Sequence, residues 1–261
     1  VNRITSSPSF IHKLTQFAIE NKIELNEIEK IFTGGGPVFP EEASLIATAF
    51  PNSNSKIVYG STEAEPISSI SASELNKTEM TLGLPVGKVY ENTKLKIIPF
   101  TKGSIPDTSE LKLTEMECET GEIIVAGNHV LKSYFNNPKA FEQNKIVTEE
   151  TIWHRTGDCG YLKNDNLFLL GRCEHVIELK GKTYSPFVIE YQLKQIEGIE
   201  TGTVILKDNK LTAIIESDLP FNKAQQELRF LHIEDLIILK KIPRDPRHHT
   251  KIDYGKLREV I

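Results

Sequence analysis

The chain has 261 residues, 39% hydrophobic and 26% charged, with a formal net charge of −5. A chain of this length buries about 70–75% of its unfolded surface without a disulfide or metal staple. The composition excludes collagen-like, disulfide-scaffold and wholly disordered classes, and the acidic balance gives no basic field for a nucleic-acid partner. No apolar run approaches the roughly 18–20 residues of a transmembrane segment, and no signal-peptide core opens the chain. Cys118, Cys159 and Cys173 are scattered, with no Cys-x-x-Cys pair. They read as reduced thiols of a cytoplasmic protein.

Along the chain, Phe10, Leu14, Phe17 and Ala18 recur at helical spacing and predict a helix over 9–20. An apolar run at 28–33 reads as a strand ending in Gly34-Gly35-Gly36-Pro37. Pro40-Glu41-Glu42 then opens a helix to Phe50, since proline and carboxylates suit a helix N-terminus. Lys56–Tyr59 reads as a strand broken by Gly60-Ser61-Thr62. From about residue 83 to 170, short strands (Lys94–Pro99, Gly121–Ala126, Leu167–Leu170) alternate with Gly, Pro and Asn turns. Beyond Gly171-Arg172 a hairpin turns at Lys180-Gly181, and a helix runs from Ser185-Pro186 to Ile196 with Ser185 as N-cap. Strands Thr203–Leu206 and Leu211–Glu216, a helix Lys223–Leu231, a strand Leu236–Leu239 and a basic tail follow. The expected fold class is α/β with α+β. A partial αβ layer plus a β-rich subdomain fills 1–171, and a small α+β domain fills 172–261, with the boundary at 171–174.

Several segments carry candidate chemistry. A Gly-rich turn before a helix, as at Gly34–Pro37, lets backbone approach an anion, although it lacks the Lys-Ser/Thr of a P-loop and also reads as a simple turn. Tyr59-Gly60-Ser61-Thr62-Glu63 places an aromatic face, a hydroxyl and a carboxylate at a strand end, the parts for stacking a base, touching a phosphate and holding Mg²⁺. Asp158, just after Gly157, suits a ribose diol, and Arg172 a phosphate or ribose; an Asp there is also an ordinary turn former. The stretch 240–251 is basic and reads as a solvated tail, a weak polyanion patch, or a carrier that brings Lys251 to a phosphoryl transition state. His248-His249 is a poor metal pair, because adjacent side chains diverge.

Taken in order, these segments resemble the adenylate-forming (AMP-binding) superfamily over nearly the whole chain. Gly34–Pro37 is similar to the adenine loop and Tyr59–Glu63 to Tyr-Gly-x-Thr-Glu. Thr120–Ile123 with Gly127 and Ser133-Tyr134 is similar to the Gly-Glu-Leu…Gly-Tyr segment. Arg155–Asp158 matches Arg-Thr-Gly-Asp, Gly171–Glu190 the interdomain hinge, and Lys251 the catalytic lysine. The segments Ser6–Phe10, Tyr59–Ser68, Trp153–Arg155 and Asp245–Asp253 resemble fatty-acid–CoA ligases, including olefin-pathway β-lactone synthetases. Three departures stand out: the Ser/Thr/Gly-rich phosphate loop is absent, Glu174 replaces the usual Asp or Lys, and Thr250 replaces a Gly.

The resemblance implies a truncated large domain of the adenylate-forming fold, followed by a mobile small domain. It implies an acyl-CoA synthetase-like ligase using ATP, Mg²⁺ and coenzyme A on a small-molecule carboxylic acid, whose N-terminal half, expected to lie outside this sequence, would be this chain's partner. Tyr59 would stack on adenine beside Gly35, Gly36 and Pro37, with Gly60 in the same motif. Thr62 would touch the α-phosphate, Glu63 hold Mg²⁺, and Asp158 and Arg172 bind ribose. Lys251 would stabilise the first transition state. Rotation about Glu174 would then bring Gly181 to the thiol tunnel. The implied product is an acyl-CoA; a β-lactone from a 2-alkyl-3-hydroxy fatty acid is the alternative, and a nonenzymatic nucleotide-binding fragment a second one. Without a phosphate loop, the chain alone is expected to be inactive.

Overall fold

The computed structural model describes residues 1–81, 83–105, 119–246 and 251–261; Cys118, His248, His249 and Thr250 lie outside the described residues. The first elements are β1 (Arg3–Ser6), α1 (Pro8–Glu20), β2 (Lys30–Gly34), α2 (Pro40–Ala49), β3 (Asn54–Ser61), β4 (Ala64–Ser71) and α3 (Ala72–Leu75). Then come β5 (Leu84–Val89), β6 (Lys94–Ile98), β7 (Gly121–Ala126), α4 (Pro138–Asn144), β8 (Lys145–Val147), β9 (Ile152–Lys163) and β10 (Asn166–Arg172). After β10 stand β11 (Ile177–Leu179), β12 (Lys182–Tyr184), α5 (Pro186–Lys194), β13 (Ile199–Lys207), β14 (Lys210–Ser217), α6 (Phe221–Glu227), a 3-10 turn at Leu228–Leu231, β15 (Asp235–Leu239) and α7 (Tyr254–Val260).

A mixed ten-stranded sheet runs β1-β2-β3-β4-β5-β10-β9-β7-β6, with β8 added beside β9. β1, β2 and β3 are parallel, as their helical crossovers require, and the remaining pairs are antiparallel. The α/β texture and the β-rich texture therefore share one sheet, joined through the β3–β4 and β4–β5 pairs. Ile31, Ile57 and Ile70 of that sheet pack with Ile11, Ala18, Ala43 and Ile46 of α1 and α2. The apolar face of α1 is rotated from its expected position. Pro8, Ile11, Thr15 and Ala18 are its buried residues, while Phe10 and Phe17 are 52% and 56% exposed. A wide apolar arc on a helix leaves that choice to the sheet it meets.

Two further corrections concern strand and tail. Gly60 does not end β3: the strand continues to Ser61, with a register shift between Tyr59 and Ser61. A side chain at Gly60 would meet the Ala64 carbonyl oxygen 2.7 Å from its Cβ, so glycine allows the two strands to close there. The expected basic tail folds back instead. Arg244 bridges Ile252, and Asp253 caps α7 by accepting from the Lys256 N–H at 3.0 Å.

Beyond Arg172 the described strands form a two-stranded β11-β12 ribbon and a three-stranded sheet, β13-β14-β15. Leu211, Ala213 and Ile215 face α5 and α6, while Ile214 meets Ile242 and Leu257 on the other side. Both faces of β14 are thus buried, which is why it reads as a near-continuous apolar run. Ser185 caps α5 by accepting from the Val188 N–H at 3.2 Å, and its hydroxyl donates to the Leu170 carbonyl at 2.7 Å. No described helix is long and apolar enough to cross a membrane.

Candidate functional site

Two hydrogen-bonded clusters stand side by side on β9. The first centres on Asp158. Pairing of Asp158 with Arg172 across β9 and β10 brings the guanidinium to the carboxylate, Nη1 lying 3.0 Å from Oδ1. Oδ2 accepts from the Tyr59 hydroxyl at 2.9 Å, across 99 residues of chain. Arg172 also donates to the Thr156 carbonyl at 2.9 Å. The Thr156 hydroxyl donates to the Ile123 carbonyl at 2.8 Å and accepts from the Asp158 N–H at 3.1 Å, which sets the turn that presents the carboxylate. Between them Gly157 has φ +69°, and a Cβ there would lie 2.8 Å from Arg172 Nη2. Both conditions call for glycine. Burial, reinforced by the Asp158 charge, pushes the Tyr59 phenol well above its ordinary value, so it remains a donor.

The second cluster centres on Glu63 in the Thr62-Glu63 turn between β3 and β4. Glu63 Oε1 accepts from the Tyr134 hydroxyl at 3.1 Å, and its carbonyl accepts from the Leu131 N–H at 2.7 Å. Oε2 faces His154 Nε2 at 3.9 Å. His154 is 4% exposed, and its Nδ1 lies 3.3 Å from the Asn144 carbonyl. Lys145 donates to the Leu131 carbonyl and lies 5.3 Å over the Tyr134 ring. Burial raises the Glu63 carboxyl, but hydrogen bonds from its own backbone, Tyr134 and Ser61 outweigh it and hold the group below its ordinary value. Burial, with the Glu63 charge, pushes the Tyr134 phenol up to about 12. Burial and the Lys145 charge push His154 down to about 4, so it is neutral at pH 7.

The remaining predicted site residues are placed as follows. Gly35, with φ +83°, Gly36 and Pro37 form the loop from β2 to α2. Gly60 lies on β3, and Thr62 is exposed in the turn beside Glu63. Glu174 occupies the turn after β10, where the Arg172 carbonyl accepts from the His175 and Val176 N–H groups at 2.8 and 3.2 Å. Gly181 is at the tip of the β11–β12 hairpin with open space around it. Lys251 belongs to the loop before α7, its carbonyl accepting from the Asp245 N–H at 2.9 Å. Tyr59, Asp158 and Arg172 thus come together and Glu63 joins His154, while Glu174, Gly181 and Lys251 belong to the elements after β10. Sequence reasoning assigned no part to Thr156, Tyr134, His154 or Lys145. The first three sit inside quoted motif segments, but only the register of β9, for Thr156 and His154, and the path of the loop before α4, for Tyr134, show where their side chains point.

Residues 1–135 match the family described as AMP-binding enzyme. The chain belongs to this family. It is 24% identical over 244 residues to 4-coumarate–CoA ligase 1 of Petroselinum crispum, covering 91% of this chain and 42% of that protein. It is 24% identical over 254 residues to 4-coumarate–CoA ligase 3 of Arabidopsis thaliana, covering 92% and 43%. The chain therefore spans less than half the length of these relatives. Among solved structures, O-succinylbenzoate coenzyme A synthetase of Bacillus subtilis, in complex with AMP, superposes with a TM-score of 0.74 at 23% identity, over 99% of this chain and 51% of that one. The amide bond synthetase McbA of Marinactinospora thermotolerans gives 0.75 at 17% identity, over 100% and 53%. These likenesses establish the adenylate-forming fold, an α/β and α+β arrangement around a large sheet.

Proposed function

We propose that this chain is the C-terminal part of an ATP-dependent ligase that converts a carboxylic acid to an acyl-adenylate and passes the acyl group to coenzyme A. One observation carries the reading: Asp158 is held between Tyr59 and Arg172, with a carboxylate oriented from both sides. Such a carboxylate accepts two vicinal hydroxyls of a ribose, and each hydrogen bond to a charged group contributes about 1.5–3 kcal/mol. Gly35, Gly36 and Pro37 line the adenine on this reading, Tyr59 supplies the aromatic face, and Thr62 meets the α-phosphate. Lys251 orients the carboxylate against the phosphoryl group, where charge develops.

The donor set at Glu63 fits a divalent cation. Glu63 Oε1 is occupied by Tyr134, which leaves Oε2 turned toward His154. The described residues contain no group of three or more His, Cys, Asp or Glu suited to a metal, so nucleotide phosphates and water would complete the shell. When bound, Mg²⁺ neutralises phosphate charge against the approaching carboxylate. Residues 1–171 act as the large domain and 172–261 as a small one turning about Glu174, which exchanges Lys251 for the Gly181 hairpin between the two half-reactions.

The fatty-acyl and β-lactone versions rest on the likeness of Ser6–Phe10, Tyr59–Ser68, Trp153–Arg155 and Asp245–Asp253 alone, whereas the named relatives are 4-coumarate–CoA ligases. A pyrophosphate-exchange assay on a protein containing both halves, with a fatty acid and with 4-coumarate, decides between them. For the 261-residue chain the expected outcome is AMP binding without carboxylate-dependent exchange, because its sequence contains no phosphate loop. Calorimetry should show Asp158→Ala weakening AMP by about tenfold or more. AMP affinity indifferent to that substitution removes the basis of the reading.

A further inference from the structure

We propose that Cys159 and Cys173 form a redox-modification site: a peroxide joins them in a disulfide that fastens the segment just before Glu174 to β9. The restraint bears on turnover only under the reading of Glu174 as the hinge, whereas the disulfide itself is independent of that reading. Strand register brings the two residues together. Cys159 on β9 stands opposite Gly171 on β10, and Asp158 stands opposite Arg172. The Cys173 N–H continues this pairing by donating to the Gly157 carbonyl at 2.9 Å. Side chains alternate across a strand, so Asp158 and Arg172 turn to one face, and Cys159 and Cys173 to the other. Gly171 has no side chain, so no side chain directly opposite Cys159 separates it from Cys173.

Both cysteines pack in one apolar cluster with Leu170, Tyr161 and Val176, and each is 7% exposed. Within the cluster the Cys173 thiol donates to the Cys159 sulfur. A core cysteine ordinarily fills space as a small hydrophobe; here two thiols meet instead. The shared hydrogen bond draws the Cys159 thiol below its ordinary value against burial, while the same bond and burial push Cys173 up. Cys159 is therefore the attacking thiolate and Cys173 the resolving thiol. The Cys159 thiolate attacks one oxygen of hydrogen peroxide and the O–O bond breaks. The departing hydroxide takes up the proton that Cys159 released, leaving a sulfenic acid and water. Cys173 sulfur then displaces the sulfenic hydroxyl, which leaves with the Cys173 proton as a second water. Two thiols and one peroxide thus give one disulfide and two waters, the sulfurs losing the two electrons that the peroxide gains. Peroxide is small and uncharged, which suits thiols with little exposed surface. Once joined, Cys173 can no longer leave Gly157. Val176, beyond Glu174, rests on the same cluster, so the residues on both sides of Glu174 are held.

The test treats the reduced 261-residue chain with hydrogen peroxide and follows intact mass. The expected product is a monomer lighter by about 2 Da, restored by dithiothreitol. Trypsin without reduction should release residues 156–163 joined to residues 173–180, since Arg155, Lys163, Arg172 and Lys180 bound these peptides. Cys159→Ser and Cys173→Ser should each abolish the joined peptide, and Cys118→Ser should leave it. Cleavage after Glu174 by a glutamate-specific protease should slow several-fold in the oxidised chain and recover on reduction. Oxidation confined to Cys118, a crosslink between chains, or gain of oxygen in place of loss of hydrogen overturns the pair. A Cys159–Cys173 crosslink with unchanged cleavage after Glu174 overturns the restraint. The hinge reading is judged apart, on cleavage of the reduced Tyr191→Ala chain. Thermal melts establish that the serine variants fold, and if neither does, the peptide map of the unsubstituted chain decides the matter.

Discussion

The Arg155 guanidinium donates to both oxygens of Glu122, from Nε at 3.1 and 3.0 Å and from Nη2 at 2.6 Å, and both side chains are almost fully buried. It also donates to the Thr101 and Gln143 carbonyls at 2.6 and 3.4 Å and to that of Gly103. This residue of the Arg-Thr-Gly-Asp segment therefore ties β9 to β7 and its flanking loops, while its neighbours Thr156 and Asp158 turn toward the site. Removing one partner of a buried ion pair strands the other charge and costs about 3–5 kcal/mol, whereas replacing both by apolar groups is often close to neutral. Arg155→Met should accordingly lower stability by about 3–5 kcal/mol in urea unfolding, and adding Glu122→Leu should restore much of it. Additive losses in the double variant would contradict this account.

Helix α5 links the small sheet to the rest of the molecule, and Glu190 sits at its centre. The Glu190 carboxylate accepts from Thr203 on β13 and from Tyr254 on α7, each at 3.1 Å, and the two hydroxyls are 2.7 Å apart. Tyr254 in turn stacks on His175 with ring centroids 3.7 Å apart, beside Glu174. Burial pushes the Glu190 carboxyl up to about 7 against the two hydroxyls, Lys194 and Arg244. An unfolded glutamate titrates near 4.3, so between those values the folded chain holds a proton that the unfolded chain has released. The stability contributed by Glu190 is full below about pH 4.3 and falls away as pH rises through its folded value. Glu190→Gln should flatten the decline of Tm between about pH 4 and pH 7, as measured by thermal melts. An unchanged pH dependence would show that another group governs it.

At the scale of the whole molecule, α5 meets the N-terminal end of α2. The Phe39 and Tyr191 rings lie 6.1 Å apart and Lys194 Nζ stands 4.7 Å over Phe39. Lys194 pairs with Glu42 at 3.5 Å, and Gln195 donates to Glu41 at 2.9 Å. Because the ion pair is partly exposed, it contributes at most about 1 kcal/mol, and the aromatic contact carries the larger share. Under the proposal that residues 172–261 turn about Glu174, this contact helps to hold the present orientation, together with the Ser185–Leu170 hydrogen bond. Tyr191→Ala should speed limited proteolysis at residues 173–176 several-fold, whereas Lys194→Ala should change it little. Equal cleavage of both variants and the parent would mean that the segment is held by its own turn instead.

Local chemistry made much of the fold legible. Pro40 and Pro186 mark the starts of α2 and α5, Ser185 is the N-cap it was expected to be, and Lys180-Gly181 turns the β11–β12 hairpin. The order of the motif segments likewise pointed to the AMP-binding family, because each segment is a short run with its own composition. Tertiary structure alone decided which face of α1 is buried, that one sheet spans both textures, and that the tail folds back to form α7. It also decided the site's partnerships. Side chains alternate across a strand, so a one-residue change of register on β9 would turn Asp158 and His154 away from Tyr59 and Glu63. That register is set by pairing with β7 and β10, strands whose own sequences say nothing about which residue of β9 they will meet.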